Sequence, residues 1–123
     1  MAALDDTKAA EMEACAMDYG MDVLIECHSA EELARAAKLR SPLIGINNRD
    51  LKTMDISLDV GAAMLPQLSA DRIAIAESGL FTPEDLARMA KSGARCFLIG
   101  ESLMRADDVT AATKAILANP IAA

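Results

Sequence analysis

The stretch Pro42–Lys52, "PLIGINNRDLK", decides the fold. An aliphatic run that is apolar on both faces passes directly into two amides, a guanidinium and a carboxylate. A strand with one face in water alternates polar and apolar residues. One apolar on both faces is covered on both, as in a parallel sheet flanked by helices. Arg is no turn former, and adjacent Asn residues are expensive to bury unpaired. The polar run is therefore either a solvated turn or a site at a strand's carboxyl end, where parallel α/β sheets keep their chemistry.

Working outward, "MDVLIE" (21–26), "RIAIAE" (72–77) and "CFLIG" (96–100) read as three more short buried strands. A first helix follows the capping residues Asp5-Asp6-Thr7, with Ala9, Met12, Cys15, Ala16 and Tyr19 at helical spacing until Gly20 stops it. Ser29-Ala30-Glu31-Glu32 has the form of a capping box and opens a second helix through about Leu39. Residues 57–68 form a third, around Val60, Met64 and Leu68. Thr82-Pro83-Glu84-Asp85 starts a fourth, ended by Gly93, and a last helix covers about 107–118. The fold class is α/β: four parallel strands with right-handed crossover helices, preceded by one helix, in a single unit over residues 1–123.

An internal echo extends this reading. "SAEELARAAK" (29–38) resembles "TPEDLARMAK" (82–91), and each leads into a strand containing "LIG". Two strand–helix units repeating two more is the pattern of a (β/α)₈ TIM barrel, which takes roughly 250 residues. With 123 residues, this chain corresponds to half of one.

Composition narrows the function classes. The chain is 53% hydrophobic and 25% charged, the profile of a globular unit. With no Trp, one Tyr and two Phe, its core is aliphatic, and Met54, Met64, Met89 and Met104 are expected to fill gaps in it. A net charge of -7 and the scarcity of stacking aromatics argue against a nucleic-acid partner. Cys15, Cys27 and Cys96 lack CxxC spacing and are expected to be reduced, buried and cytoplasmic. One histidine and no Cys/His cluster argue against a metal, and no apolar run reaches membrane-spanning length.

The strand ends supply the candidates. Strand alternation puts Leu24, Glu26 and His28 on one face, Asn47 and Arg49 on one face, and Ile73, Ile75 and Glu77 on another. A Glu set above aliphatic layers is partly desolvated, which suits Glu26 and Glu77 to proton transfer. An amide beside a fork-shaped guanidinium, Asn47 with Arg49, recognises a carboxylate or hydroxyls. The Ser78-Gly79 and Gly100-Glu101-Ser102 corners could cradle a phosphate with backbone N–H groups. His28 reads as a supporting residue. The structural alternatives are caps, solvated carboxylates and a polar turn.

Taken together, "MDVLIECH", "LIGINNRDLKTM", "IAIAESGLFTPEDLARM" and "FLIGESLMRADD" resemble the carboxyl-terminal half of indole-3-glycerol phosphate synthase. The resemblance covers essentially the whole chain, from the helix before the fifth barrel strand to the eighth helix. It implies closure of the indole ring of 1-(2-carboxyphenylamino)-1-deoxyribulose 5-phosphate, with loss of carbon dioxide and water and without a cofactor. It further implies catalytic roles for Glu26, Asn47 and Glu77, substrate contacts from Arg49 and Ser78, and phosphate contacts from Gly79, Gly100 and Glu101. Relatives often carry a small residue where Glu101 stands, so its carboxylate has to point away from a phosphate.

The resemblance also places essential lysines on the first and third barrel strands, which have no counterpart here. Half a site, inactive alone, is the expectation. Its partner is a companion amino-terminal half or a second copy closing a twofold barrel over the open inner face of Leu24, Leu43, Ile73, Ile75 and Leu98. The contrasting reading is a self-associating phosphate-binding or structural half-barrel without turnover. A flavodoxin-like domain is disfavoured, because no acidic pair follows a first strand and no fifth strand is evident.

Overall fold

Four strands, β1 (Leu24–Cys27), β2 (Leu43–Asn47), β3 (Ile73–Glu77) and β4 (Cys96–Leu98), pair in parallel in the order β1-β2-β3-β4. The structure is a computed structural model and describes residues 1–118. Sequential order with every pair parallel requires a crossover on one face between neighbours, and the helices supply it. They are α1 (Asp6–Asp18), α2 (Ala30–Ala36), α3 (Leu58–Met64, continued by a 3₁₀ turn at Leu65–Gln67), α4 (Pro83–Lys91), α5 (Glu101–Met104) and α6 (Val109–Ile116). This is half of a TIM barrel. The four-residue α5, between β4 and the last helix, is the element that periodicity did not resolve.

A side-chain cap starts every α-helix but α5. Asp5, Ser29, Ser57, Thr82 and Asp108 each accept a backbone N–H of the first turn. Thr82 and Asp85 form a complete capping box, since the Asp85 carboxylate accepts the Thr82 N–H at 2.9 Å. The box read at Ser29 is only half formed. Glu32 gives its N–H to Ser29 Oγ, but its carboxylate accepts from the N–H of His28, one residue further back.

The core lies between the helices and one face of the sheet. Ile25, Cys27, Ile44, Ile46, Ala74 and Ala76 pack there against Leu33, Ala36, Met64, Leu65, Leu86 and Met89. Each fully buried large side chain contributes roughly 1.5–3 kcal/mol. Among the described residues nothing packs over the opposite face: Leu24 and Ile73 are each 39% exposed and Leu98 54%, while Leu43 is half-buried and Ile75 buried.

Several expected burials are corrected. Cys27 is buried, and burial pushes its thiol up to about 11, but Cys15 and Cys96 are exposed. Met64 and Met89 fill the core, whereas Met54 and Met104 lie on the surface. On α1 and its C-cap, Met12 and Tyr19 face out and Glu13 faces in. The Glu13 carboxylate is tolerated there because it accepts the N–H groups of Arg40 (2.9 and 3.0 Å) and Ser41 (2.7 Å) in the turn before β2.

Asn48 explains half of the opening stretch. It is 1% exposed and fully paired: Nδ2 donates to the carbonyls of Glu77 (3.0 Å) and Ser78 (3.1 Å), and Oδ1 accepts the N–H of Gly61 (2.9 Å). One amide thus ties the end of β2 to the end of β3 and to α3. Asn48→Ala orphans the Gly61 donor and the Ser78 carbonyl, and the expected loss is about 2–4 kcal/mol by urea unfolding. A midpoint unchanged from the parent chain would refute this role.

Candidate functional site

Strand register sets the mouth. Glu26 lies level with Gly45, Ile75 and Cys96, and Asn47 lies level with Glu77 and Leu98. Two side-chain layers at the carboxyl end of the sheet therefore bring together carboxyls from β1 and β3 and an amide from β2. Beyond the strands, residues alternate. Asn47 and Arg49 turn into the mouth, while Asn48 and Asp50 build the turn. Asp50 Oδ1 accepts the N–H groups of Lys52 (2.7 Å) and Thr53 (3.1 Å), and these backbone bonds hold its carboxyl below the ordinary range. The polar run is both a turn and a mouth, residue by residue.

Glu77 is the most perturbed carboxyl in this mouth. It is 2% exposed, and burial pushes it up to about 7, with the neighbouring Glu26 carboxylate acting in the same direction. Its Oε1 is buried with no hydrogen-bond partner, which a neutral acid bears at less cost than an anion. The space it fills is made by a missing side chain: a Cβ on Gly45 would lie 1.8 Å from Glu77 Oε1 and 2.9 Å from Cδ. Glu26 is held from the side, accepting the Asn47 amide Nδ2 at 3.1 Å, and Asn47 Oδ1 accepts the Arg49 N–H at 2.9 Å.

Arg49 crosses to the last corner, where its guanidinium pairs with Glu101; the other Glu101 oxygen pairs with Arg105 at 2.8 Å. The Glu101 carboxylate thus occupies the guanidinium that was expected to meet substrate. After β3, Ser78 and Gly79 both take left-handed backbone, at φ 63° and 72°. That conformation is strained for serine, and the Asn48 bond to the Ser78 carbonyl helps to hold it. Gly100 caps α5 in open space, and Ser102 Oγ bonds the Leu80 carbonyl at 3.0 Å, joining the last two corners.

Glu26, Asn47, Arg49, Glu77, Ser78, Gly79, Gly100 and Glu101 all line one cleft of about 260 Å³. Gly45 and Asn48 also build the site, although the sequence pattern does not single them out for it. Gly45 carried a signal, since a glycine within a strand marks a close approach. Asn48 carried none beyond its unexplained polarity. Among the described residues, no three His, Cys, Asp or Glu side chains gather as metal ligands, and no helix is long and apolar enough to cross a membrane.

Comparison with known proteins adds a family. The family model for indole-3-glycerol phosphate synthase matches residues 1–116. Indole-3-glycerol phosphate synthase of Azospirillum brasilense is 54% identical over 118 residues, covering 96% of this chain and 45% of the relative. That of Rhodospirillum rubrum is also 54% identical over 118 residues, covering 95% of this chain and 45% of the relative. The chain therefore spans a little under half the length of these relatives. Among solved structures, one described as native KDPGal has 25% identity and a TM-score of 0.65, covering 89% of this chain and 51% of that one. A chain of the Amycolatopsis orientalis BexX/CysO complex has a TM-score of 0.67 at 15% identity, covering 91% of this chain and 46% of that one, a likeness of fold alone. With residues 1–116 matched and half a barrel formed, this chain belongs to the indole-3-glycerol phosphate synthase family.

Proposed function

We propose that this chain supplies one half of an active site that closes the indole ring of 1-(2-carboxyphenylamino)-1-deoxyribulose 5-phosphate, releasing carbon dioxide and water. The observation that carries the reading is the carboxyl pair Glu26 and Glu77 in one cleft, the second with its proton held to about neutral pH. Loss of water from the closed ring needs one proton delivered to the departing hydroxyl and one removed from the adjacent ring carbon. Glu77, neutral, is suited to the delivery and Glu26 to the removal, with Asn47 keeping Glu26 in place. Arg49 takes the substrate's carboxylate, with Ser78 beside it, and the backbone of Gly79, Gly100 and Glu101 receives the phosphate.

Ring closure also develops negative charge on the carbonyl oxygen, which needs a preorganised cationic donor. In this cleft the guanidinium of Arg49 is already paired with Glu101. The missing donors are assigned to a companion half-barrel that covers Leu24, Ile73 and Leu98 and pairs with the open edges β1 and β4. Charge favours such a companion over a second copy, which would bring another Glu26, Glu77 and Glu101 to the same mouth. The test is fluorescence-detected formation of indoleglycerol phosphate by the chain alone and mixed with the amino-terminal half of the Azospirillum brasilense relative. Turnover only in the mixture is expected, and no turnover in either removes the proposal. Sedimentation of the unmixed chain as a compact monomer at micromolar concentration would count against an unmet interface.

Glu101 gives a prediction of its own. Glu101→Gln removes a carboxylate from beside both Arg49 and the phosphate corner. Binding of inorganic phosphate, measured by protection against melting, is expected to tighten about tenfold, roughly 1.4 kcal/mol. Weaker binding would show that Glu101 orients Arg49 rather than competing for it.

A further inference from the structure

One polar cluster behind the mouth has no part in the roles given so far. His28 follows β1 directly, and its side chain is 14% exposed. Its Nδ1 lies 3.2 Å from Glu32 Oε2, and the same oxygen accepts the His28 backbone N–H at 2.9 Å. Its Nε2 is buried, lies 2.9 Å from Glu26 Oε1, and has no aligned hydrogen-bond partner. Glu32 is itself fixed in the first turn of α2, where its N–H donates to Ser29 Oγ at 3.2 Å.

These contacts restrict where protons can sit. A neutral imidazole carries one N–H and one lone pair. Glu32 Oε2 already gathers the backbone N–H of the same residue and serves as an acceptor, so the ring proton belongs on Nδ1. The Nε2 lone pair then faces Glu26 Oε1, and two lone pairs at 2.9 Å repel unless a proton lies between them.

We propose that Glu32 and His28 form a positioning pair for Glu26, in which Glu32 fixes the Nδ1-protonated tautomer and His28 Nε2 shares one proton with the Glu26 carboxylate. The arrangement follows the logic of a base oriented by a third group. With Oε1 engaged by that proton and by the Asn47 amide, the Glu26 carboxylate is fixed in place for the proton removal assigned to it above. The other groups facing this pair are Asn47 Nδ2 on Glu26 Oε1, the Glu77 carboxyl across the mouth, the Asp50 carboxylate, and the Met1 ammonium on the Glu26 carbonyl at 2.7 Å. None of these touches the His28 ring at hydrogen-bond distance. The acid–base role of Glu26 rests on the proposed function; the tautomer of His28 does not.

His28 is the single histidine of the chain, so ring ¹⁵N spectra read it without assignment. At neutral pH the chain is expected to show a protonated Nδ1. Glu32→Ala is expected to turn most of the ring over to the tautomer with the proton on Nε2, and Glu32→Gln, which keeps an acceptor oxygen, to restore Nδ1 protonation. A parent ring protonated on Nε2 alone, or a ring indifferent to Glu32→Ala, overturns the pair. In the mixture with the companion half, Glu32→Ala is expected to lower kcat about 10-fold at unchanged KM. Glu32→Gln should recover most of that loss. Unaltered kcat in an active mixture overturns the positioning role. If the parent mixture never turns over, the proposed function fails, while the spectra still decide the tautomer.

Discussion

Replacing Gly45 with alanine is expected to abolish turnover while leaving the chain folded. The added Cβ would stand 1.8 Å from Glu77 Oε1 and 2.9 Å from Glu77 Cδ, separations that no packing tolerates. Its other near neighbour, Leu24 Cδ1, is 3.3 Å away and can yield by a few tenths of an ångström. What has to move is the free end of a flexible side chain, so backbone and core are spared. An alanine inside a strand even gains roughly 0.5–1 kcal/mol over glycine in chain entropy, which offsets part of the rearrangement. Function is not spared, because the Glu77 carboxyl is driven out of its desolvated seat and returns to an ordinary acid range. In the mixture with a companion half, turnover should fall at least ~100-fold, within the span that positioned proton transfer contributes. Melting of the unmixed chain should change by only a few degrees. A Gly45→Ala mixture that keeps its turnover, or a chain that no longer folds, would show that this glycine does not shape the acid's seat.

The second large effect concerns Glu77 itself, and there activity and stability move in opposite directions. Glu77→Gln removes the transferable proton and is expected to cost ~10²–10⁴-fold in turnover. Its effect on stability depends on pH with a definite sign. The folded chain holds this carboxyl at about 7 against an ordinary 4.5, so folding favours the neutral form. The associated stability is complete below the ordinary value and drains away as pH rises through that value to about 7. Above that, the folded chain carries a buried carboxylate at a cost on the order of 3 kcal/mol. Gln carries no such charge at any pH, and its amide N–H can still donate toward Glu26. The parent chain should therefore lose several degrees of melting temperature between pH 5 and pH 8, roughly the window of the shifted carboxyl, whereas Glu77→Gln should not. Parallel curves for the two chains would place the titration elsewhere. Gly45→Ala should flatten the curve in the same way, which ties the two experiments together.

How much of this was legible in the residues varies by feature, for physical reasons. Strands such as "LIGIN" and "IAIAE" were readable because their residues are apolar on both faces, with a polar side chain only at the carboxyl end. The mouth residues were readable because a period of two decides which side chains share a face, and β2 and β3 keep that period to their ends. Reading failed where a residue's fate depends on a partner far away in sequence. Glu13 breaks the apolar stripe of α1, yet it is buried because the turn at Arg40 and Ser41 presents two amides to it. Cys96 looks like an interior residue and is exposed, because it shares with Leu98 the open sheet face that no described residue covers. Glu101 was expected to face away from the mouth's ligand; its pairing with both Arg49 and Arg105 depends on where the β2 and β4 loops meet, which no local pattern encodes.

The separation of the two sheet faces has a consequence for protein engineering. The aliphatic packing that holds the helices lies entirely on one side of the ribbon, from Ile25 and Ile44 through Met89, and nothing in it relies on whatever seats against Leu24, Ile73 and Leu98. The chain is thus built like an interchangeable cassette, in which the joint can be redrawn without disturbing the spring that keeps each piece in shape. Chimaeras joining it to foreign halves should succeed or fail on the fit of three or four exposed aliphatic side chains and two ribbon borders, and hardly at all on the rest of the sequence.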